Sequence, residues 1–163
     1  MSNKKTIDTV FQRSMQDLIK GIRSHKKDTS EFISLAIAEI KTELKSTDPF
    51  LKAEALRKLT YLQMQGYNIS WSAFAIIEVM SQPRFAHKRI GFLAANQSFN
   101  DQTEVLMLTT NLFKKEFTSH SGTPYDIGVA INSLANIANL DLARDCISDL
   151  VTLMDHPRAY VNM

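Results

Sequence analysis

Apolar residues recur along this chain at spacings of three and four, block after block, with no stretch of strict alternation. Ile7, Val10, Phe11, Leu18, Ile19 and Ile22 form one such set, and Ile33, Ala36, Ile37, Ile40 and Leu44 form the next. That period lays one apolar stripe along a helix, whereas a half-buried strand would repeat every second residue. The pattern therefore predicts helices throughout and no sheet. The second helix is expected over 29–45, the third over 49–65 and the fourth over 70–80. Pro83 opens the fifth, Asp101 with Glu104 caps the sixth, Pro124 opens the seventh and Asp141 begins the eighth. Asp28 followed by Glu31 reads as a capping box for the second helix. Gly66 ends the third, because glycine accepts the left-handed conformation found just past a helix end.

Proline is tolerated in the first turn of a helix, where its missing N–H would lack an intrahelical partner anyway. Pro49, Pro83, Pro124 and Pro157 lie 34, 41 and 33 residues apart, the length of one helix-turn-helix unit. The segments DPFLKAEALRKL, QPRFAHKRIGFLAA, TPYDIGVAINSLA and HPRAYVNM each read as a polar residue, a proline and an apolar-spaced helix. Repeats of this length stack into solenoids, each unit burying its stripe on its neighbours. The T-P-L-H-x-A signature of ankyrin repeats is missing, as is the tryptophan, glycine and tyrosine spacing of tetratricopeptide repeats. The reading is an all-α fold: a HEAT/armadillo-like α-solenoid of about eight helices in a right-handed superhelical stack, one unit over residues 1–163. Pro157 opens a repeat that Met163 cuts short, so the stack is expected to be truncated at its C-terminal end, with apolar surface exposed near residues 140–163.

Little in the sequence points to chemistry. His25, His87, His120 and His156 are scattered, with no second ligand at metal-binding spacing. Cys146, the single cysteine, sits within an amphipathic helix and reads as a small buried hydrophobe. The five glycines are spread singly, so there is no phosphate-cradling loop, and no nucleophile elbow appears. Gly91 and Gly128 fall inside predicted helices, where glycine costs about 1 kcal/mol relative to alanine; close approach of a neighbouring helix is the expected compensation. Trp71, Phe74, Phe92, Phe99 and Phe113 follow the helical phase and are assigned to the core. The chain is read as a non-enzyme that needs no cofactor or metal.

Charge is uneven. Residues 1–27 carry seven lysines and arginines against two aspartates, although the whole chain is only +2. Lys20, Arg23, Lys26 and Lys27 share KGIRSHKK, where spacings of three and four gather several on one face at the end of the first helix. Cations there also suit the helix dipole. Arg84, Lys88 and Arg89, with His87, gather at the start of the fifth helix, where the dipole disfavours them. Both clusters are candidate contacts for a charged partner or an anionic membrane surface; nucleic acid is not suggested by so small a net charge.

Several blocks resemble a known family. LIKGIRSHKKDTSEFISLAIAEIKTELKS (18–46), LRKLTYLQMQGYNISWSAFAIIEVMS (56–81), HKRIGFLAANQSF (87–99), VLMLTTNLFKKEF (105–117) and LARDCISDLVTLM (142–154) are similar, in this order, to the N-terminal trunk of adaptin large subunits. They most resemble the delta branch, which belongs to adaptor-protein complex 3. The resemblance runs from about Thr6 to Tyr160. It implies a non-catalytic subunit of a heterotetrameric vesicle coat that sorts cargo from Golgi and endosomal membranes toward lysosomes and related organelles. Small sigma, medium mu and large beta adaptin subunits would be its partners, with an Arf-type GTPase and an anionic membrane beside them. The implied location is cytoplasmic, peripheral on those membranes. In alpha-adaptin a lysine run near the third helix contacts phosphoinositides; Lys52, Ala53 and Glu54 stand there in this chain, so that site is not implied. Family members are several-fold longer, with a hinge and an ear, and this sequence reads as an N-terminal trunk segment. The residues alone leave open a free-standing HEAT-like protein-binding scaffold outside any coat.

Overall fold

A computed structural model describes residues 13–24, 29–100, 102–118 and 123–162, and they are helical almost throughout. The helices are α1 (Met15–Ser24), α2 (Thr29–Leu44), α3 (Pro49–Met64), α4 (Ala73–Met80), α5 (Phe85–Ser98), α6 (Thr110–Thr118), α7 (Pro124–Ile137), α8 (Leu140–Met154) and α9 (Ala159–Asn162). Short 3-10 turns at Ser70–Ser72 and Leu106–Thr109 lead into α4 and α6. No strand occurs among the described residues.

Helix starts are set by local chemistry. Ser14 and Asp17 form a capping box at α1, with Asp17 N–H donating to Ser14 Oγ at 3.2 Å and Ser14 N–H to Asp17 Oδ2 at 3.1 Å. Thr123 and Asp126 do the same at α7. Asp48 accepts from Phe50 N–H at 2.9 Å to start α3, and Asn139 accepts from Leu142 N–H at 2.9 Å to start α8. Asn139, rather than Asp141, therefore begins the eighth helix. Pro49 and Pro124 are first-turn residues as expected, but Pro83 and Pro157 lie two residues ahead of Phe85 and Ala159. Measured from helix starts, the repeats at 49, 85, 124 and 159 are 36, 39 and 35 residues long, more regular than the prolines. The expected cap at Asp28 and the apolar positions Ile7, Val10 and Phe11 lie outside the described residues, as does Asp101. Its expected partner Glu104 lies in a turn, and α6 starts at Thr110 after the 3-10 turn, so the sixth helix does not begin where that pair placed it. Gly66 ends the turn after α3 with φ 92°, the left-handed conformation for which glycine has no Cβ penalty.

The odd-numbered helices form one layer, α3 packing on α5, α5 on α7 and α7 on α9. The even-numbered helices lie against it, α2 on α3, α4 on α5, α6 on α7 and α8 on α9, and α6 also packs on α8. This two-layered stack is the α-solenoid. One apolar seam runs through it from Leu18 and Ile40 through Leu56, Ile76, Met80 and Phe92 to Phe113, Leu134 and Leu142. Gly91 lets α5 press onto the backbone of α4: a Cβ there would sit 2.8 Å from Met80 Cα, far inside van der Waals contact. Gly128 likewise makes room for the Tyr160 ring. Phe92, Phe99 and Phe113 are core residues, whereas Trp71 and Phe74 are 42% and 70% exposed. Those two belong to the turn entering α4 and its first helical turn, and neither is closed off by the apolar seam.

Candidate interaction surface

A surface that binds partners is defined by the side chains left over after the fold has used what it needs. The basic residues separate on this criterion. Lys20 and Arg23 are exposed on α1, while Lys26 and Lys27 lie outside the described residues. Arg84 occupies the capping position of α5 and is exposed, as is Arg89 on the same helix.

Lys88 differs. It is buried, and its ammonium donates to Glu116 Oε2 of α6 at 2.7 Å and to Asp126 Oδ1 of α7 at 2.9 Å. Burial by itself would lower the lysine pKa, but hydrogen bonds to the two carboxylates outweigh it and hold the group above its usual value. Asp126 is held below the usual carboxylate range: burial pushes it upward, and the Thr123 hydroxyl and N–H together with Lys88 pull it further down. The expectation that Lys88 faces a charged partner is thus corrected. Its charge is spent inside the fold, and His87 beside it is also buried. The sequence signal that could have separated Lys88 from Arg84 and Arg89 is helical phase. Lys88 falls four residues before Phe92, which is in the core.

Two further lysines are similarly engaged. Lys58 Nζ bonds Glu43 Oε1 at 2.7 Å and the Arg13 carbonyl at 2.9 Å, both tying the first helices together. Lys52 pairs with Glu78 across α3 and α4. Lys41 stands over the Trp71 ring at 4.7 Å, a cation–π contact that covers part of an otherwise open indole.

The apolar residues left over are concentrated at the C-terminal end. Leu140, Ile147, Val151 and Met154 of α8 are all exposed, and at 100° per residue they fall within one narrow arc of the helix. The opposite side of α8, with Leu142, Cys146 and Leu153, is buried. An exposed apolar stripe on an otherwise amphipathic helix is a surface suited to another protein element. Its position is the one expected from the sequence. A smaller group, Trp71 and Phe74, lines an open groove with Phe99 and Val105.

Cys146 is fully buried and its thiol is pushed up by that burial, the reverse of an activated nucleophile. No group of three or more metal-ligating side chains occurs among the described residues, and none of their helices is long and apolar enough to cross a membrane.

Comparisons with known proteins agree with this architecture. The family described as the adaptin N terminal region matches residues 30–163. The chain is 52% identical over 158 residues to the AP-3 complex subunit delta-1 of Bos taurus, covering 97% of this chain and 13% of that protein. It is 46% identical to the AP-3 complex subunit delta of Dictyostelium discoideum (93% and 13% covered) and 44% to that of Arabidopsis thaliana (98% and 18%). The chain therefore spans between about an eighth and a fifth of the length of these relatives. A structure described as a homology model of the full-length AP-3 complex in an intermediate open conformation superposes with a TM-score of 0.63 at 41% identity, over 70% of this chain and 20% of that one. With the family match covering most of its length and its helices stacked in the same solenoid, this chain belongs to the adaptin N-terminal family.

Proposed function

We propose that the chain acts as the N-terminal trunk segment, over residues 1–163, of a non-catalytic large subunit in a heterotetrameric vesicle-coat adaptor complex of the AP-3 type. The observation that carries this reading is the 52% identity spread over 97% of the chain, ordered along a helical solenoid. Small sigma, medium mu and large beta adaptin subunits are its partners in this reading. Cargo sorting from Golgi and endosomal membranes toward lysosome-related organelles is its role, carried out from the cytoplasmic face as a peripheral protein.

In mechanism, such a segment works by shape and exposed chemistry. The solenoid holds its interacting side chains at fixed spacing, and the apolar arc of α8 gives up water-exposed surface when covered, at roughly 25 cal/mol per Å². Lys20, Arg23, Arg84 and Arg89 are exposed and suit an acidic partner, an Arf-type GTPase or an anionic membrane. Lys26 and Lys27 join them on the strength of the sequence alone. Lys88 does not.

Affinity capture of the full-length protein containing this segment tests the reading. Co-purification of small sigma and medium mu chains is expected, and reproducible absence of both would sink it. Charge reversal at Arg84 and Arg89 tests the electrostatic part: recruitment of the complex to anionic membranes should weaken in low-salt buffer. Unchanged recruitment would remove those two residues from the interface.

A further inference from the structure

Thr123 is the one hydroxyl residue of the sequence that stands directly before a proline; the other three prolines follow Asp48, Gln82 and His156. It is exposed, and its backbone, at φ −79° and ψ 156°, is extended, the conformation that a following proline favours. A threonine open to solvent, held extended and followed by proline, has the form in which a proline-directed protein kinase takes its substrate.

Ser14 differs in what lies behind it. It also caps a helix, and its hydroxyl also donates to the carboxylate three residues on, at 2.7 Å. Met15 follows it, however, and Asp17 is exposed. At Thr123 the hydroxyl donates to Asp126 Oδ2 at 2.6 Å, and Asp126 is buried. The other oxygen of that carboxylate accepts from Lys88, which also bonds Glu116. An exposed hydroxyl on α7 is thus two hydrogen bonds from the ammonium that joins α5, α6 and α7.

The triad of Lys88, Glu116 and Asp126 sets one ammonium against two carboxylates, so a net negative charge already lies inside the fold. A phosphate on Thr123 would add close to two more negative charges at pH 7. It would also remove the hydroxyl proton that Asp126 Oδ2 accepts and set an anion beside that oxygen. Phosphate at a helix N-terminus is ordinarily favourable. Here that benefit is already taken up, because Asp126 lies in the first turn of α7 and Thr123 Oγ accepts from Asp126 N–H at 3.3 Å. Repulsion of the buried carboxylate therefore decides the sign.

We propose that Thr123 is a phosphorylation site for a proline-directed kinase, and that phosphate there weakens the Lys88 triad and with it the tie between α5, α6 and α7. The γ-phosphoryl group passes from ATP to Thr123 Oγ. The Oγ–P bond forms as the bond from that phosphorus to the β–γ bridging oxygen breaks; ADP leaves with the electron pair, and the hydroxyl proton goes to the catalytic aspartate of the kinase. The site stands apart from the coat assignment, since it rests on Thr123, Pro124 and the triad alone.

Incubating the chain with ATP, Mg²⁺ and a cyclin-dependent kinase tests this. Mass spectrometry should place phosphate on Thr123. Pro124→Ala keeps the hydroxyl and its capping partner, and should abolish the labelling. At pH 7 the phosphorylated chain should unfold at a lower urea concentration than the unmodified one. In Asp126→Asn, which has no carboxylate to repel, phosphorylation should move the midpoint less. Absence of phosphate at Thr123 of the folded chain overturns the proposal, as does labelling that Pro124→Ala leaves unchanged. A midpoint that phosphorylation leaves unchanged or raises, or that falls equally in Asp126→Asn, overturns the link to the triad. Should Asp126→Asn fail to fold, the sign of the shift in the unsubstituted chain still decides.

Discussion

Replacing Lys88 by methionine isolates the contribution of one buried charge. Methionine keeps most of the apolar stem, so the packing changes little while the ammonium disappears. Its two acceptors, at 2.7 and 2.9 Å, are then left as carboxylates in a site where each side chain is under a tenth exposed. Removing one member of a buried ion pair costs about 3–5 kcal/mol, because the remaining charge is uncompensated. Asp126 keeps hydrogen bonds from Thr123 N–H at 2.9 Å and from the Thr123 hydroxyl, which places the expected loss near the lower end, at about 3 kcal/mol. With a urea m-value of about 2 kcal/mol per molar, the midpoint at pH 7 should fall by about 1.5 M. Lys52→Met is the internal comparison. Its partner Glu78 is half exposed, so the loss there should be no more than about 1 kcal/mol. A Lys88→Met midpoint no lower than that of Lys52→Met would refute the reasoning.

The same triad sets a pH window. Asp126 titrates lower in the folded chain than its ordinary 3.8, so its contribution is complete above that value and disappears as the pH falls through the folded pKa. Urea midpoints for the wild type should therefore drop below about pH 4, with a smaller drop in Asp126→Asn. Gly91→Ala should destabilise by about 1–2 kcal/mol by thermal melting: the helix-propensity gain of about 1 kcal/mol is outweighed by forcing α5 off the Met80 backbone. A stabilised Gly91→Ala would mean that the two helices part freely. Phe74→Ser should leave stability within about 0.5 kcal/mol, against about 3–5 for Phe113→Ala in the core. Ile147→Ser combined with Val151→Ser should lower self-association of the chain in sedimentation velocity without lowering its melting temperature, since both side chains are exposed.

Period and punctuation made the architecture readable in the sequence. Apolar spacing gave the helices, and Pro49, Pro124 and Gly66 marked boundaries that the structure keeps. What escaped was the use made of particular side chains. A lysine next to two arginines reads as one basic cluster, although Lys88 is turned inward by its helical phase and answered by carboxylates 28 and 38 residues away. No local pattern announces partners at that distance. Trp71 and Phe74 failed in the opposite direction. Their aromatic character suggested the core, but Phe74 is largely open and Trp71 is covered only in part, by Lys41, and burial depends on the neighbours as much as on the residue. Pro83 misplaced the start of α5 by two residues because proline is as well suited to the turn before a helix as to its first turn.

The single thiol offers a clock for this molecule. Cys146 faces the buried side of α8, in the helix that packs on α6, and no part of it meets solvent. An alkylating reagent can reach the sulfur only while α8 is lifted away, so the labelling rate under native conditions counts those openings. Every other cysteine-free surface of the chain is silent to the reagent. Any element that settles on the outer arc of α8 holds the helix down, and its arrival would be timed by a slower reaction at a residue it never touches.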